Sequence, residues 1–328
     1  MTDAPASPER AARGGGRRGA VGAIDIGSNS TNLLIADADG RTLERIETTT
    51  RLGQSLRRTG RLSDESIGRT LDALREYRAL LDRHGADRVR VVATAASRQA
   101  SNHRDFFAAA REVVGVEPEL LPGAEEGRLA YLGALTGLDD TDLPGPHLLL
   151  DIGGASTEIM VGDRRTLHVV SSIDLGAVLV TESELHHDPP RPEELTNAIG
   201  AMHDEVEEVA REHPEIGEAA AASGALIGIA GTVNAVAAVE LGRWDPEAVH
   251  GTHLSRDAVE DVFRTLATET LAARRHNPGL PAERADIIVG GCCILVAVMR
   301  RLQLRELIVS THGIREGVVG ELLGSMAA

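Results

Sequence analysis

The sequence contains no lysine, so all 34 of its basic residues are arginines. A Walker A loop requires a lysine beside the phosphates, and that class of nucleotide-binding site is therefore excluded. A lysine general base and a lysine Schiff base are excluded for the same reason. Any side-chain cation that holds an anion must be an arginine, whose planar guanidinium suits phosphate oxygens. Aromatic residues are also scarce, at 2%, which leaves little surface for stacking against sugars or nucleobases.

Other absences narrow the class of protein further. No apolar run approaches the roughly 20 residues that a membrane-spanning helix needs, and the N-terminus has no apolar signal core. Only two cysteines occur, side by side at Cys292 and Cys293, which fits the reducing cytoplasm. The formal net charge of −16 argues against nucleic acid as a general partner. We therefore expect a cytoplasmic protein with neither a membrane nor a nucleic-acid partner.

The arrangement of apolar segments predicts the fold class. A chain of 328 residues, 42% of them hydrophobic, is long enough for two domains with packed cores. Residues 1–19 are rich in arginine, glycine and proline, and are predicted to be a disordered basic tail. Beyond them, strand-like and helix-like patterns alternate, which predicts an α/β fold with helices on the sheet faces. One predicted helix is a long apolar one over residues 283–302.

The most informative stretch of the sequence is residues 23–33. An apolar strand ends there, and the small polar residues Ser28, Asn29 and Ser30 follow before strand character resumes. Backbone N–H groups of such a turn can point outward and bind an anion, especially a phosphate. Asp25, near the end of the strand, is placed to hold a metal ion beside that phosphate.

The same pattern recurs in the second half of the chain. Residues 25–31 match residues 151–157 at five positions. Further along each half, Leu52-Gly53 is repeated as Leu175-Gly176. Two matched points in order predict an internally duplicated fold whose two glycine turns face one cleft. The alternative is two unrelated turns between strands. The matched pairs of the first point are Asp25 and Asp151, Ile26 and Ile152, Gly27 and Gly153, Ser30 and Ser156, and Thr31 and Thr157.

Three further features are candidates for chemistry. Gly231 and Thr232 follow a predicted strand and open a helix, where the helix dipole favours an anion. Arg98 lies near another strand end and is a candidate phosphate clamp, although a single arginine is more often a surface residue. Glu125 and Glu126 begin a further helix, a position that the helix dipole alone explains.

Together these motifs resemble the exopolyphosphatase and guanosine pentaphosphate phosphatase (Ppx/GppA) family, within the actin, sugar kinase and Hsp70 superfamily. The resemblance implies two ribonuclease-H-like domains around an interdomain cleft. It implies an N-terminal domain of residues 20–140 plus 312–328, because the final segment crosses back, and a C-terminal domain of residues 141–311. Besides the glycine turns and Gly231-Thr232, the matching segments are residues 125–128 (EEGR), 283–286 (ERAD) and 310–317 (STHGIREG).

The resemblance also implies the site residues. It makes Glu126 the catalytic residue and Mg²⁺, or another divalent cation, the cofactor, held by Asp151 and Glu158 with Asp25 as an additional candidate. One departure is Ala230, which stands where glycine is common in the family but is itself small. The phosphate-binding residues that the resemblance implies are Ser28, Asn29, Ser30, Arg98, Gly153, Gly154, Ser156, Gly231 and Thr232.

The reaction implied by the resemblance is hydrolysis of the terminal phosphoanhydride of inorganic polyphosphate, with release of orthophosphate. Short chains are expected, because this sequence ends at residue 328 without the C-terminal domains of longer members. Three alternatives stay open: a pppGpp 5′-phosphohydrolase using the same site, an ATP-dependent kinase, and a catalytically silent phosphate or nucleotide sensor. The scarcity of aromatics weakly disfavours a guanine-binding surface, and a homodimer is suggested by analogy alone.

Overall fold

The computed structural model of the protein describes residues 19–139 and 145–324. The predicted basic tail, residues 1–19, lies outside the described residues except for Gly19. Within the described residues, no helix is long and apolar enough to cross a membrane.

The first half of the chain forms a five-stranded sheet. Its strands are β1 (Ala20–Ile26), β2 (Ser30–Ala36), β3 (Thr42–Thr49), β4 (Ala86–Ala93) and β5 (Glu119–Leu120). They lie in the order β3-β2-β1-β4-β5. The first three strands are antiparallel neighbours, whereas β4 runs parallel to β1 and β5 runs parallel to β4. An antiparallel meander joined to parallel strands in this order is the ribonuclease-H-like topology that the sequence predicted.

The second half repeats this topology. Its strands are β6 (His147–Ile152), β7 (Thr157–Gly162), β8 (Leu167–Ile173), β9 (Ala225–Ile229), β10 (His253–Ser255) and β11 (Glu306–Val309). They lie in the order β10-β11-β9-β6-β7-β8. β6, β7 and β8 are antiparallel, and β9 and β11 extend the sheet in parallel from β6. The one addition is β10, an antiparallel edge strand beside β11.

Helices cover the faces of both sheets. Those of the first half up to β5 are α1 (Leu56–Thr59), α2 (Asp64–His84), α3 (Ala95–Gln99) and α4 (His103–Val114). The others are α5 (Gly123–Ala134), α6 (Ala177–Glu184), α7 (Pro192–Glu212), α8 (Pro214–Ser223), α9 (Ala230–Leu241), α10 (Pro246–Val249), α11 (Arg256–Thr268), α12 (Leu271–Arg274), α13 (Ile288–Arg301) and α14 (Ile314–Leu323), with a short 3-10 helix at Ala282–Arg284.

Local sequence explains where these helices begin and end. In α2, the side chain of Ser63 accepts a hydrogen bond from the Ser66 N–H, which satisfies one free donor of the first turn. The helix stops at Gly85, whose φ of 63° lies in the left-handed region that glycine tolerates without strain. Its buried face includes Leu74 and Leu81 and packs in the core of the first sheet.

Helices α5 and α14 lie side by side and connect the two halves. α14 packs on β1 and β2 as well as on α5, so the final segment returns to the first sheet. At the other end of α5, Tyr131 and Ala134 pack with Leu149 and Met160 of the second sheet. α5 is thus buried between both sheets. The exact domain bounds, at residues 140–141 and 311–312, stay a prediction.

The predicted helix over residues 283–302 is wrong at its start, because α13 begins at Ile288. The preceding segment is instead held by charged contacts with the first half of the chain. Asp286 pairs with Arg51, whose Nη1 lies 2.8 Å from the carboxylate Oδ2. Arg51 also donates a hydrogen bond to the Glu283 carbonyl at 3.2 Å. These contacts hold the segment before Ile288 outside the regular α-helix, so α13 begins only where the apolar run is buried.

Candidate active site

The two glycine turns have the same backbone geometry. The Gly27 N–H donates to the Ser30 carbonyl at 2.9 Å, and the Gly153 N–H donates to the Ser156 carbonyl at 3.0 Å. In both turns a Cβ on the glycine would lie 3.0 Å from that carbonyl oxygen, which is tighter than an ordinary contact. The small residues of the repeated motif therefore close the same tight turn twice.

The two Leu-Gly segments of the sequence repeat lie against the two glycine turns. The Gly53 N–H donates to the Ser28 carbonyl at 2.8 Å. In the other half, the Ala177 N–H donates to the Gly153 carbonyl at 2.9 Å. A Cβ on Gly176 would lie 2.5 Å from the Gly154 carbonyl carbon, so only glycine allows this approach. Each Leu-Gly segment thus holds the glycine turn of its own half by backbone hydrogen bonds.

The two turns contact each other across a cleft. A Cβ on Gly154 would lie 3.4 Å from the Ser28 Cβ and 3.6 Å from the Asn29 Cβ. The cleft between the halves has a cavity volume of about 130 Å³. Of the site residues predicted from the sequence, all but Arg98 line it: Asp25, Ser28, Asn29, Ser30, Glu126, Asp151, Gly153, Gly154, Ser156, Glu158, Gly231 and Thr232.

Arg98 lies beside the cleft, behind the carboxylate of Glu126. Its Nη1 donates to Glu126 Oε2 at 3.0 Å and to the Leu121 carbonyl at 2.8 Å. The guanidinium therefore fixes one oxygen of the predicted catalytic carboxylate. Its assignment as a phosphate clamp stays a prediction.

The predicted metal-binding acids sit at equivalent positions of the two sheets. Asp25 on β1 faces Asn32 on β2, and Asp151 on β6 faces Glu158 on β7. Asn32 Nδ2 donates to Asp25 Oδ2 at 3.2 Å, whereas Asp25 Oδ1 is buried without any hydrogen-bond partner. The Ser172 hydroxyl donates to Glu158 Oε1 at 2.8 Å. The first half thus carries the amide of Asn32 at the position where the second half carries the acid Glu158.

Burial of these acids in one cleft shifts their proton affinities. Burial raises the pKa of Asp25 to about 6. Burial, reinforced by the charge of Glu158, raises the pKa of Glu126 to about 7. Burial and the same neighbour raise the pKa of Asp151 well above its usual range, and the pKa of Glu158 is also raised, chiefly by burial. Burial, together with repulsion between neighbouring carboxylates, therefore disfavours ionisation of all four acids at once.

A divalent cation bound among these acids would favour their ionised forms. Within the described residues, no group of three or more His, Cys, Asp or Glu side chains is placed to hold a metal ion by itself. Mg²⁺ does not require such a group, because it usually binds one or two carboxylates and completes its shell with water and phosphate oxygens. The unpartnered Asp25 Oδ1 and the raised pKa of Asp151 both indicate where added positive charge is favoured.

One cleft-lining residue that the sequence did not single out is Arg284. A Cβ on Gly231 would lie 1.9 Å from Arg284 Cζ, so the guanidinium rests directly on the glycine of the third turn. Arg284 also bonds to Glu47 on β3. The absence of lysine and the ERAD motif were signals that an arginine of this segment could bind an anion, but its contact with Gly231 is visible only in the fold.

Ala230, which stands where glycine is common in the family, lies in the third turn. This residue has a φ of 68°, in the left-handed region that favours glycine. An alanine there costs about 1 kcal/mol or more relative to glycine. The turn beside Gly231 nevertheless has this left-handed conformation with alanine at position 230.

Comparison with known proteins decides the family. The sequence model of the Ppx/GppA phosphatase family matches residues 33–326. The chain belongs to the Ppx/GppA phosphatase family. It is 34% identical to exopolyphosphatase 2 of Mycobacterium tuberculosis, over 93% of this chain and 98% of that one. It is 29% identical to the guanosine-5′-triphosphate,3′-diphosphate pyrophosphatase of Photobacterium profundum over 93% of this chain, but spans only 59% of that protein.

Solved structures agree with this assignment. A crystal structure of an exopolyphosphatase-like protein superposes with a TM-score of 0.87 at 30% identity, covering 93% of this chain and 99% of that chain. The Aquifex aeolicus member of the Ppx/GppA family superposes with a TM-score of 0.76 at 30% identity, covering 94% and 99%. The predicted family and α/β fold are confirmed, and this Ppx/GppA chain is a phosphoanhydride hydrolase.

Proposed function

We propose that this phosphatase is an exopolyphosphatase, which hydrolyses the terminal phosphoanhydride of inorganic polyphosphate and releases orthophosphate. The observation that carries the proposal is the place of Glu126, a buried acid with a pKa of about 7, beside two contacting glycine turns. The cleft volume of about 130 Å³ favours short chains or the end of a longer one. We also assign the enzyme to the cytoplasm, because Cys292 and Cys293 are buried free thiols.

Positioning and charge neutralisation are the main tasks of such a site. The transition state of phosphoryl transfer spreads negative charge over the equatorial oxygens, so the protein contributes little covalent chemistry. Backbone N–H groups of the turns at Ser28–Ser30, Gly153–Ser156 and Gly231–Thr232 would bind the phosphate oxygens. Arg284, which rests on Gly231, would add the fixed positive charge.

Glu126 would act on the attacking water. A general base works best when its pKa lies near the operating pH, and a value of about 7 meets that condition. The hydrogen bond from Arg98, at 3.0 Å, fixes the orientation of the carboxylate. Glu126 would take a proton from the water as its oxygen attacks the terminal phosphorus, and the rest of the chain would leave as the shortened polyphosphate.

Two carboxylates, those of Asp151 and Glu158, would hold a divalent cation, with Asp25 as a further candidate. When bound, Mg²⁺ neutralises charge on the bridging and terminal phosphate oxygens. The side chains that hold it are themselves ordered, since Ser172 fixes Glu158 at 2.8 Å and Asn32 fixes Asp25 at 3.2 Å.

The test compares two neighbouring acids. Glu126→Gln keeps the size of the side chain but removes the base, so kcat for polyphosphate should fall by about 10²–10⁴-fold while substrate still binds. Glu125→Gln is the matched control, because Glu125 pairs with Arg128 at 2.8 Å instead of lining the cleft. Release of phosphate is measured for both. Wild-type turnover by Glu126→Gln would remove this residue from the mechanism.

The same assay separates the alternative functions. Polyphosphates of several lengths, pppGpp and ATP are offered to the wild-type protein with and without EDTA. Formation of ADP that depends on an acceptor would identify a kinase. Release of no phosphate from any substrate would favour a catalytically silent sensor.

A further inference from the structure

A row of three polar residues crosses the first sheet and leads away from the cleft. Asp25 on β1 lies opposite Asn32 on β2, and Asn32 lies opposite Glu47 on β3. Directly opposite residues of antiparallel strands share a face of the sheet, so all three side chains lie on the same side. Neighbouring strands are about 4.8 Å apart, which places the backbone of Glu47 roughly 10 Å from that of Asp25. The row therefore begins at a predicted metal-binding acid and ends at another carboxylate.

This row follows a passage that continues from the cleft. Its three residues all line a cavity of about 110 Å³, which shares Asp151 and Gly231 with the cleft. Glu47 and Arg284 line both this cavity and a larger one of about 420 Å³ beside Trp244. The three spaces therefore adjoin one another. A chain of phosphates whose end lies in the cleft can extend through them past Glu47.

Glu47 is bonded to the arginine that the cleft offers to a phosphate. Arg284 Nη2 donates to Glu47 Oε1, and this ion pair joins the two halves of the chain. Only 11% of the Arg284 side chain is exposed, against 34% of the Glu47 side chain. The guanidinium is enclosed against Gly231, so the carboxylate is the partner that has more room to move away.

Glu47 carries a negative charge in this position. Burial acts to raise the pKa of Glu47, but the charges of Arg284 and Arg315 outweigh it and hold the pKa below its ordinary value. The carboxylate therefore lies in the field of two guanidinium groups, an environment that also suits a phosphate oxygen. A phosphate and Glu47 cannot both accept from the same N–H group of Arg284.

We propose that Glu47 is an internal competitor of the substrate for Arg284. Before substrate binds, its carboxylate takes up donors of the guanidinium. An incoming phosphate chain displaces it, and it returns to Arg284 as the shortened chain leaves. Glu47 thus weakens the binding of substrate and product alike and limits how long a product occupies the cleft. The inference rests on the proposed function for the place of the phosphate chain, and it adds a residue that sets the affinity for that chain.

Binding tests the competition without hydrolysis. In the Glu126→Gln background, Glu47→Gln removes the charge at position 47 but keeps an oxygen that can accept from Arg284. Inorganic tripolyphosphate should then bind about fivefold more tightly, as measured by isothermal titration calorimetry. If Glu47 served instead to orient Arg284, Glu47→Gln would leave the affinity unchanged or weaken it, and Glu47→Ala would weaken it further. Either result would overturn the proposal.

Glu44→Gln is the matched control for this measurement. Glu44 lies on the same strand with 32% of its side chain exposed, but it pairs with His84 at 3.0 Å. Loss of its charge should leave the affinity for tripolyphosphate unchanged. An equal gain in Glu44→Gln would assign the effect to the net charge of the protein and would overturn the competition.

A double-mutant cycle identifies the residue through which Glu47 acts. In an Arg284→Ala background, Glu47→Gln should change the affinity for tripolyphosphate by less than about twofold, because the shared donors are gone. A fivefold gain in this background as well would mean that Glu47 only repels the ligand, which would overturn competition for Arg284.

Steady-state kinetics provide a readout that a merely structural role would not move in this direction. In the otherwise wild-type protein, Glu47→Gln should lower KM for tripolyphosphate without raising kcat, because a change in uniform binding appears in KM alone. The inhibition constant of orthophosphate should fall with it. A rise in KM would contradict the competition.

This proposal and the exopolyphosphatase assignment fail on different results. Tighter binding of tripolyphosphate after Glu47→Gln supports the competition even if the wild-type protein releases no phosphate, a result that would refute the assignment. Release of phosphate from polyphosphate, together with unchanged affinity in Glu47→Gln, refutes the competition and leaves the assignment standing. Absence of tripolyphosphate binding in every variant would refute both.

Discussion

At the scale of single residues, the guanidinium of Arg284 lies directly against Gly231, a predicted phosphate-binding residue. A methyl group at position 231 would lie 1.9 Å from Arg284 Cζ, so the guanidinium would have to move. Because it is the far end of a flexible side chain, the fold itself has no need to move. We therefore expect Gly231 to influence phosphate binding through the position of Arg284.

We accordingly expect Gly231→Ala to impair binding without unfolding the protein. Loss of a charge-assisted hydrogen bond corresponds to roughly 1.5–3 kcal/mol, so KM for polyphosphate should rise by about tenfold or more. The free energy of unfolding should change by less than about 1 kcal/mol. Steady-state kinetics and urea unfolding measure the two quantities.

A double-mutant cycle isolates the cause of that effect. In an Arg284→Ala background, Gly231→Ala should raise KM little further, because the residue that it displaces is already gone. Equal effects in both backgrounds would show that Gly231 acts through the turn itself.

The sequence predicted the glycine but not the arginine, for a physical reason. Gly231 belongs to a local pattern, a strand followed by a small-residue turn and a helix, and such patterns can be recognised without the fold. Arg284 reaches the turn from a distant segment, whose place depends on the Asp286–Arg51 ion pair across the cleft. Contacts of that kind depend on tertiary structure, which no local pattern encodes.

At the scale of elements, α5 and α14 lie so close together that two glycines at their contact leave no room for a side chain. A Cβ on Gly133 would lie 1.9 Å from the Gly313 carbonyl oxygen, and one on Gly317 would lie 2.3 Å from the Leu129 carbonyl oxygen. Both obstacles are backbone atoms, which cannot rotate away. The two glycines therefore set the distance between the helices that connect the two sheets.

Alanine substitutions of two helical glycines, Gly317 in the contact and Gly200 outside it, should change the free energy of unfolding in opposite directions. Gly317→Ala should lower the free energy of unfolding by about 3 kcal/mol, because the helices must separate. Gly200→Ala in α7 should raise it by about 0.5–1 kcal/mol, because a Cβ there meets no atom within 4 Å and alanine is the better helix former. Urea unfolding of both variants measures the difference. Similar stability of the two variants would contradict this account of the contact.

The existence of helix α13 was easier to predict than its first residue. The apolar run before residue 302 indicated a helix correctly, yet its first turn was placed five residues too early, at residue 283 instead of Ile288. A hydrophobic pattern indicates burial, and within residues 283–287 only Ala285 is buried. The pattern alone has no means to tell a helical residue from one held in place by ion pairs.

At the scale of the whole molecule, the duplicated architecture could be predicted because each half repeats its motif in sequence. The cavity beside Trp244 could not, because its wall is assembled from four separate segments of the chain. A composition of 2% aromatics indicated little surface for a base. Trp244 lines this cavity, and its place there is a property of the fold that no local pattern encodes.

The junction of the two halves contains a pair of stacked histidines. The rings of His250 and His312 lie 4.2 Å apart between centroids, and His312 Nδ1 lies 2.8 Å from the Thr136 hydroxyl just after α5. Burial lowers the pKa of His312 to about 4, with the positive potential of His250 and Arg45 adding to it and Glu316 opposing it. Burial also lowers the pKa of His250. The junction is therefore built around neutral imidazoles.

This pair should make the molecule sensitive to acid. The unfolded chain, with an ordinary histidine pKa near 6.5, binds a proton more tightly than folded His312 does, so protons favour unfolding. The contribution is fully present above pH 6.5 and is lost as the pH falls toward about 4. Between pH 7 and pH 5 the wild-type protein should therefore lose about 1–2 kcal/mol more stability than His312→Asn does. Urea unfolding at both pH values measures this difference. The control is His203→Asn in α7, where 43% of the histidine side chain is accessible, and it should behave as the wild type does. If His312→Asn instead kept the pH dependence of the wild type, the acid-sensitive group would lie elsewhere.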